Sequence, residues 1–223
     1  MKKLIIPVFV AASVMAISSC GNSESTATAA QEVAQASQTS RAYAVNVSES
    51  SLGWKISKKL GPGHEGTVSI QEGTLNLEND TITAGKFVID MNTITVTDLT
   101  EENGKSSLEA HLKGVRKPEE TNDFFNVPAF PTSTFEITKA TKKDASNYEI
   151  EGNLTIKDVT KNIVIPAEVT ADENTVTANA SFTVNRKDFG IKYGTTDLDP
   201  KLVADKIIND DIEFTLTLKG NVE

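Results

Sequence analysis

The stretch NYEIEGNLTIKDVTKNIVIPAEVTA, residues 147–171, alternates apolar and polar side chains on both sides of a short turn at 157–160. Before the turn, one face would carry Tyr148, Ile150, Gly152, Leu154 and Ile156. After the turn, the same alternation gives Ile163, Ile165, Ala167 and Val169. Successive side chains of a strand point to opposite faces. A period of two therefore predicts two antiparallel strands, each with one buried and one solvent-facing side.

The same period recurs along the rest of the chain. Further apolar faces are Phe87, Ile89 and Met91; Val176, Ala178, Ala180, Phe182 and Val184; and Ile212, Phe214, Leu216 and Leu218. Turn-forming residues separate the runs at 78–80, 144–147 and 171–174. About eight long strands either close into a barrel or stack as a sandwich, and closure removes exposed edges. The sequence therefore predicts an all-β fold, an eight-stranded antiparallel barrel, with the sandwich as the alternative.

Two stretches break the alternation and are predicted to be short helices at the ends of the barrel. SSLEAHLKG, residues 106–114, opens with a capping box formed by Ser106 and Glu109 and ends at Gly114. DPKLVADKI, residues 199–207, places Asp199 as N-cap and Pro200 as the first helical residue.

The N-terminus resembles the signal of a bacterial lipoprotein. Lys2 and Lys3 precede an apolar run that is too short for a permanent transmembrane helix and that ends in AISSC. We therefore expect residues 1–19 to be a signal peptide and Cys20, the only cysteine, to be acylated, with a secretory signal and an incidental cysteine as the alternative. Gly21 follows the cysteine, where Asp commonly retains lipoproteins at the inner membrane. We expect an exported protein, lipid-anchored to the outer membrane and facing the periplasm.

Residues 20–42 are predicted to be a flexible tether, and residues 43–223 the barrel domain. The segment after the cysteine consists mostly of Ser, Thr, Ala, Gln and Glu, and it lacks the apolar surface that would offset the entropy of ordering.

Composition excludes several classes of function. Without Lys2 and Lys3 the chain has 20 basic and 31 acidic residues, so nucleic acid is not expected as a partner. The two histidines, His64 and His111, lack the spacing of a metal site, and no nucleophile or phosphate motif occurs. We expect His64 to be a polar residue at the rim of the barrel. We expect Arg186 and Asp188 to form a salt bridge in a turn rather than a catalytic pair. The prediction is a protein without enzymatic activity, cofactor or metal.

Small residues on the predicted inner faces leave the interior undecided. Gly152, Ala167, Ala178 and Ala180 point inward, where a barrel usually needs bulk. They are compatible with a tapered, filled core and equally with a space for a ligand.

Several motifs in order resemble the YceI-like family over residues 43–219. They are GWKISKKLGPGHEGTVSIQEGTLNL near the start, His111-Leu112, Asp123-Phe124-Phe125, the Pro131, Ser133, Phe135, Ile137 series, YEIEGNLTIKDVTKNIVIP and VNRKDFGI. The chain differs from the family pattern in the longer link at 114–122 and in the segment at 199–207, which concern the mouth of the barrel. The resemblance implies a lipocalin-like barrel, in which some members hold a polyisoprenoid or another long-chain amphiphile.

This resemblance favours an open channel and a long-chain lipid or isoprenoid as ligand. The residues predicted to contact it are Trp54, Phe87, Ile89, Phe135, Ile137, Ile150, Gly152, Ala178, Ala180, Phe182 and Phe214. The other expected partner is the membrane, through the acylated N-terminus, and a homodimer is left open. The predicted role is a membrane-anchored carrier or scavenger of the ligand. The alternative is a structural or interaction module with a filled barrel.

The stretch DFFNVPAFPTSTFEI, residues 123–137, concentrates four phenylalanines around two prolines. We predict that Phe124 and Phe125, on a turn restricted by Pro128 and Pro131, seal one end of the barrel against water. The alternative is that their rings chiefly contact the ligand.

The lipoprotein hypothesis predicts that Cys20→Ser releases the protein from the membrane fraction or leaves an unprocessed precursor. The thiol is the expected acylation site, and several acyl chains at about 0.8 kcal/mol per buried methylene would make a firm anchor. Fractionation and metabolic acyl labelling measure this, and unchanged labelling of the variant would contradict it.

Overall fold

Ten β-strands and one α-helix make up most of residues 27–223, the part of the chain that the computed structural model describes. The strands are β1 (Thr28–Ala29), β2 (Arg41–Val45), β3 (Ser51–Lys58), β4 (His64–Glu78), β5 (Thr81–Val96), β6 (Thr132–Lys142), β7 (Asn147–Ile156), β8 (Val159–Ala171), β9 (Thr175–Asn185) and β10 (Ile208–Val222). Helix α1 covers Lys105–Lys113.

The strands close into an antiparallel barrel of eight positions, as predicted. β2 and β3 occupy one position, because both pair with β4 on one side and with β10 on the other. From there each strand pairs with the next along the chain, up to β9 with β10. Pairing of β10 with β3, for example Leu216 with Leu52, completes the ring. The sandwich alternative is therefore wrong.

The tight turns follow the local sequence signals. Asn79 and Asp80 both have positive φ, 47° and 60°, in the two-residue turn between β4 and β5. Such a turn matches the twist of a hairpin, and Asn and Asp tolerate the left-handed region. The turn between β7 and β8 is only Lys157 and Asp158, shorter than the predicted 157–160.

The two ends of the barrel differ in their connections. At one end, called the loop end here, strands are joined by 59–63, 97–131, 157–158 and 186–207. At the other, called the turn end, the connections are 79–80, 143–146 and 172–174. Almost all irregular chain between strands therefore lies at the loop end.

The predicted helix at 106–114 is present, but its start differs from the prediction. Gly114 ends α1 in the left-handed region, at φ 74°. The predicted capping box is wrong, because Gly104 occupies the N-cap position with no side-chain cap. Ser106 donates to the Glu101 carboxylate, and Glu109 Oε1 accepts from the Val96 N–H at 2.9 Å. The side chains of Ser106 and Glu109 thus bond to residues outside the helix instead of capping its first turn. Among the described residues, no helix combines the length and the apolar character needed to cross a bilayer.

The predicted helix at 199–207 is wrong: only a short 3₁₀ turn, Ala204–Lys206, forms there. Backbone groups next to it bond to neighbouring chain instead of within a helix. The Lys59 N–H donates to the Ile207 carbonyl at 2.9 Å, and the Ile208 N–H donates to the Gly194 carbonyl at 2.9 Å. These bonds draw the segment out into the start of β10.

Part of the predicted tether lies against the barrel wall. Residues 20–26 are outside the described residues, but residues 27–40, called the strap here, cross the outer face of β8, β7 and β6. Thr28 pairs with Asn162 of β8, and the Ala34 N–H donates to the Ile137 carbonyl at 3.0 Å. Ser37 donates to Glu78 at 2.9 Å. The prediction of a flexible tether is therefore corrected for 27–42, which continues into β2.

One buried asparagine pair holds the centre of the strap. Asn153 Oδ1 accepts from the Gln31 N–H at 3.0 Å, and its Nδ2 donates to the Gln31 carbonyl at 2.7 Å. Asn162 Nδ2 donates to Asn153 Oδ1 at 3.2 Å and to Thr138 at 2.9 Å. The Asn153 amide thus binds the strap backbone as a neighbouring strand would. Hydrogen bonding, rather than apolar burial, orders this polar segment.

We expect Asn153→Ala to lower the free energy of unfolding by about 1–3 kcal/mol, because it removes both hydrogen bonds to the Gln31 backbone and one of the two that Asn162 Nδ2 donates. Urea unfolding and hydrogen exchange at the Gln31 and Ala34 amides measure the effect. Asn179→Ala, on the exposed outer face of β9, is the control and should change stability by less than about 0.5 kcal/mol. Equal small effects with unchanged exchange would show that the strap does not depend on this amide.

Candidate functional site: the barrel cavity

The inside of the barrel contains a cavity of about 230 Å³ lined almost entirely by apolar side chains. The lining comes from every barrel strand except β2, and α1 adds Leu108 and Leu112. Close-packed protein cores contain few voids larger than a water molecule. The inward residues therefore leave a chamber open, and of the two alternatives left by the sequence the filled core is not what the structure shows.

All residues predicted to contact a ligand line this cavity except Gly152. A Cβ atom at Gly152 would lie 2.2 Å from Cζ of Phe135. Gly152 is therefore small because the Phe135 ring fills the space opposite it, and its assignment to the ligand is corrected. Ala178 and Ala180 do face the open space. Ligand contact by these lining residues remains a prediction.

Aromatic side chains form two groups in the cavity wall. Phe182 and Phe214 are paired across β9 and β10 and stack with ring centroids 5.4 Å apart. Trp54 is the partner of Phe214 on β3. On β5 and β6, Phe87 and Phe135 are paired with centroids 6.5 Å apart. Rigid flat rings present large apolar surfaces with little conformational freedom, as a pocket for a hydrocarbon chain requires.

The phenylalanine-rich stretch lies at the loop end of the cavity. Phe124 is buried, and its ring packs edge-to-face on His111 at 5.0 Å and against Tyr193 at 5.1 Å. The Phe125 N–H donates to the Leu112 carbonyl at 3.2 Å, which fixes the turn against α1. Both rings also belong to the cavity lining. The rings thus lie at the end of the barrel where the seal is predicted, and they are equally positioned to touch a ligand, so exclusion of water by them stays a prediction.

Tyrosines, which the sequence reasoning did not assign, close the turn end. Tyr43 is buried and donates to the Asp172 carbonyl at 2.6 Å, and buried Tyr148 donates to the Asp80 carbonyl. Each hydroxyl reaches a backbone carbonyl of a turn-end connection. An inward Tyr at the second or third position of a strand is the sequence signal that could have identified this seal.

The two histidines are each paired with a carboxylate. His64 Nδ1 lies 2.9 Å from Asp98 Oδ2, and His111 Nε2 lies 2.8 Å from Asp123 Oδ2. Burial acts to raise the pKa of Asp98, but hydrogen bonds from His64 and the Glu65 N–H outweigh it and lower that pKa below its ordinary value. His64 is half-buried and lines the loop end of the cavity, in keeping with a rim position. Within residues 27–223, no three His, Cys, Asp or Glu side chains gather as metal ligands would.

Arg186 does not form the predicted turn salt bridge with Asp188, and that prediction is wrong. Its buried guanidinium donates to the carbonyls of Asn209, Ile191, Tyr193 and Ile208 at 2.7–3.1 Å. The carboxylate nearest to it is that of Asp210, at 3.9 Å. Burial lowers the pKa of Arg186 below its ordinary value, against the opposing effect of Asp210. Since an isolated buried charge is costly, these carbonyls are what allow Arg186 to tie the loop 186–207 to β10.

A family comparison agrees with the closed barrel and its apolar cavity: residues 43–220 match the YceI-like domain. The chain belongs to the YceI-like family. Curated relatives include a UPF0312 protein of Yersinia pestis, 29% identical over 155 residues that cover 67% of this chain and 69% of the relative. A UPF0312 protein of Pectobacterium atrosepticum is 30% identical over the same shares.

Two solved structures share the fold of this chain. Burkholderia cenocepacia BcnA superimposes with a TM-score of 0.60 at 19% identity, covering 78% of this chain and 98% of that one. A polyisoprenoid-binding domain from Saccharophagus degradans, implicated in plant cell wall breakdown, gives a TM-score of 0.55 at 13% identity, covering 82% and 99%. At these identities the likeness establishes a lipocalin-like YceI barrel, as predicted.

The loop-end seal can be tested with Phe124→Ala/Phe125→Ala. We expect the delipidated variant to lose about 3 kcal/mol or more, because the flanking prolines and the Leu112 hydrogen bond hinder collapse into the cavity left behind. Thermal melts of delipidated proteins measure this, with Phe130→Ala, in the same stretch outside the cavity lining, as control. If the double variant melts with the wild type and only loses ligand, the rings serve the ligand rather than the seal.

Proposed function

We propose that this protein is a membrane-anchored binding protein that holds a long-chain amphiphile, a polyisoprenoid or similar lipid, in the barrel cavity as a carrier or scavenger. The observation that carries the proposal is the cavity: an open interior with an apolar wall and aromatic groups on two sides. Membership of a family that includes a polyisoprenoid-binding domain supports the ligand class.

The distribution of polar groups in the lining favours an amphiphile over a plain hydrocarbon. The polar and charged lining residues are His64, Ser133 and Arg186. His64 and Ser133 lie at the loop-end starts of β4 and β6, and Arg186 directly follows the loop-end limit of β9. From there to the tyrosine seal at the turn end, the wall is apolar. A tail directed toward the turn end would bury hydrocarbon at about 25 cal/mol per Å². The head group would then lie at the loop end, near His64 and Ser133.

Anchoring and location rest on the N-terminal sequence. The lipoprotein-like signal and Cys20 support export and acylation, and Gly21 supports the outer membrane. A barrel that carries a lipid beside a membrane needs no catalytic group, and we infer a binding role without catalysis.

The direct test is lipid extraction and mass spectrometry of the purified protein, with Ala178→Trp/Ala180→Trp as the occluded variant. Bulk at these two positions enters the open space, so we expect co-purifying lipid to disappear while stability changes little. Asn179→Trp is the matched control, since it lies between them on β9 and faces outward. If instead the parent protein carries no lipid and the double variant loses about 1–3 kcal/mol or more from overpacking, the barrel is a structural or interaction module.

A further inference from the structure

Exposed large apolar side chains are concentrated at the loop end. Leu198 is 62% exposed and Leu60 is 58% exposed, and neither side chain belongs to the core or to the cavity lining. The set, called the apolar crown here, is Leu60, Val115, Tyr193, Leu198 and Val203, from three of the four loop-end connections. Contacts between connections join parts of the crown, since Tyr193 packs on His111 of α1 and the Lys59 N–H bonds to Ile207. Grouped apolar residues at one end indicate a surface that meets something apolar.

The distribution of charge also distinguishes the loop end from the rest of the described chain. The four loop-end connections carry 11 Lys and Arg against 12 Asp and Glu, whereas the remainder of residues 27–223 carries 9 against 18. The barrel wall and turn end would therefore be repelled by a surface with anionic lipids, and the loop end would not.

The strap determines where the chain leaves the barrel toward Cys20. Thr28 pairs with Asn162, three residues from the loop-end start of β8 at Val159 and nine from its turn-end limit at Ala171. At about 3.3 Å per residue these are distances along the strand of roughly 10 Å and 30 Å. Because β1 is antiparallel to β8, the chain from Thr28 back to Ala27 runs toward the turn end, so the residues before Ala27 would have to reverse direction to approach the loop end. Eight residue steps separate Thr28 from Cys20, and they span at most roughly 29 Å when fully extended. The position of Thr28 therefore leaves the plane of the loop end within reach of an anchor at Cys20.

The two ends of the cavity also differ, in the same direction as the two ends of the outer surface. Its polar lining residues lie at the loop end, and the buried tyrosines Tyr43 and Tyr148 close the turn end. A lipid that enters or leaves through the loop end keeps its head group outermost and does not carry it through the apolar wall. Passage at this end requires Phe124 and Phe125, which line the cavity there, to move aside.

We propose that the loop end docks on the bilayer that holds Cys20, with the apolar crown inserted at the headgroup boundary, and that ligand passes between bilayer and cavity at this end. The proposal rests on the acylation of Cys20 set out above. In this arrangement, the short segment between Cys20 and the strap limits how far the crown can move from the membrane surface, and the crown makes the contact with the bilayer.

The test uses the acylated full-length mature protein in vesicles of phosphatidylethanolamine and phosphatidylglycerol that contain brominated phosphatidylcholine as quencher. Single-Trp reporters are built on Trp54→Phe: Val115→Trp in the crown and Ala145→Trp at the exposed turn end. We expect bilayer quenching of the Val115→Trp reporter to be at least about threefold stronger, because quenching by bromine requires near contact with the acyl region.

Introducing negative charge into the crown provides the second measurement. Leu198→Glu/Val203→Glu should remove the quenching at position 115, since both residues are exposed and the change alters the surface rather than the core. Val164→Glu/Val222→Glu replaces two equally apolar exposed residues outside the loop end and is the matched control. It should leave the quenching within about 20% of the parent.

The outcomes separate this proposal from the one on which it rests. Acylated protein whose two reporters are quenched equally, or more strongly at position 145, overturns the docking orientation alone. Absence of acyl chains on Cys20 by mass spectrometry overturns the anchor and this proposal with it, while lipid found in the cavity would still support the binding function. Unquenched reporters together with a dimer in crosslinking through the crown would assign the crown to a second copy of the chain and overturn membrane docking.

Discussion

Pairing of β10 with β2 and β3 is the constraint on which the rest of the structure depends, because it turns an open sheet into a barrel. Once the ring is closed, every inward side chain faces an inward side chain from another strand. Phe214 of β10 is the centre of this seam, with Trp54 on one side and Phe182 on the other. The aromatic wall of the cavity is thus made by the same register that closes the barrel.

The cavity persists because bulk and small residues alternate around the ring in a definite arrangement. Phe135 rests over Gly152 and so lies flat against the wall instead of crossing the interior. Ala167, Ala178 and Ala180 occur where β8 and β9 meet, and their partners across that pair of strands are Ala180, Val169 and Ala167, all short side chains. Large rings therefore define two walls, and short side chains leave the volume between them.

The two ends of the barrel have opposite chemistry, which gives the molecule a direction. The turn end is short, acidic and closed by tyrosines that bond to backbone carbonyls. The loop end contains α1, the phenylalanine turn, balanced charge and the exposed apolar residues. Arg186 is central to this end, since its guanidinium gathers four carbonyls from the segment 191–209 and gives the long loop a defined course.

The sequence by itself determined the strands, the tight turns, the end of α1 at Gly114 and most of the cavity lining, because period-two alternation and turn chemistry are local properties. It also supplied the lipoprotein-like N-terminus. Only the tertiary structure decided the strap, the partner of Gly152 and the partners of Arg186. Gln31 meets Asn153 across 122 residues, and polar composition alone gives no sign of a backbone segment bound by one distant amide. Contacts of that kind depend on which strands the closed ring brings together.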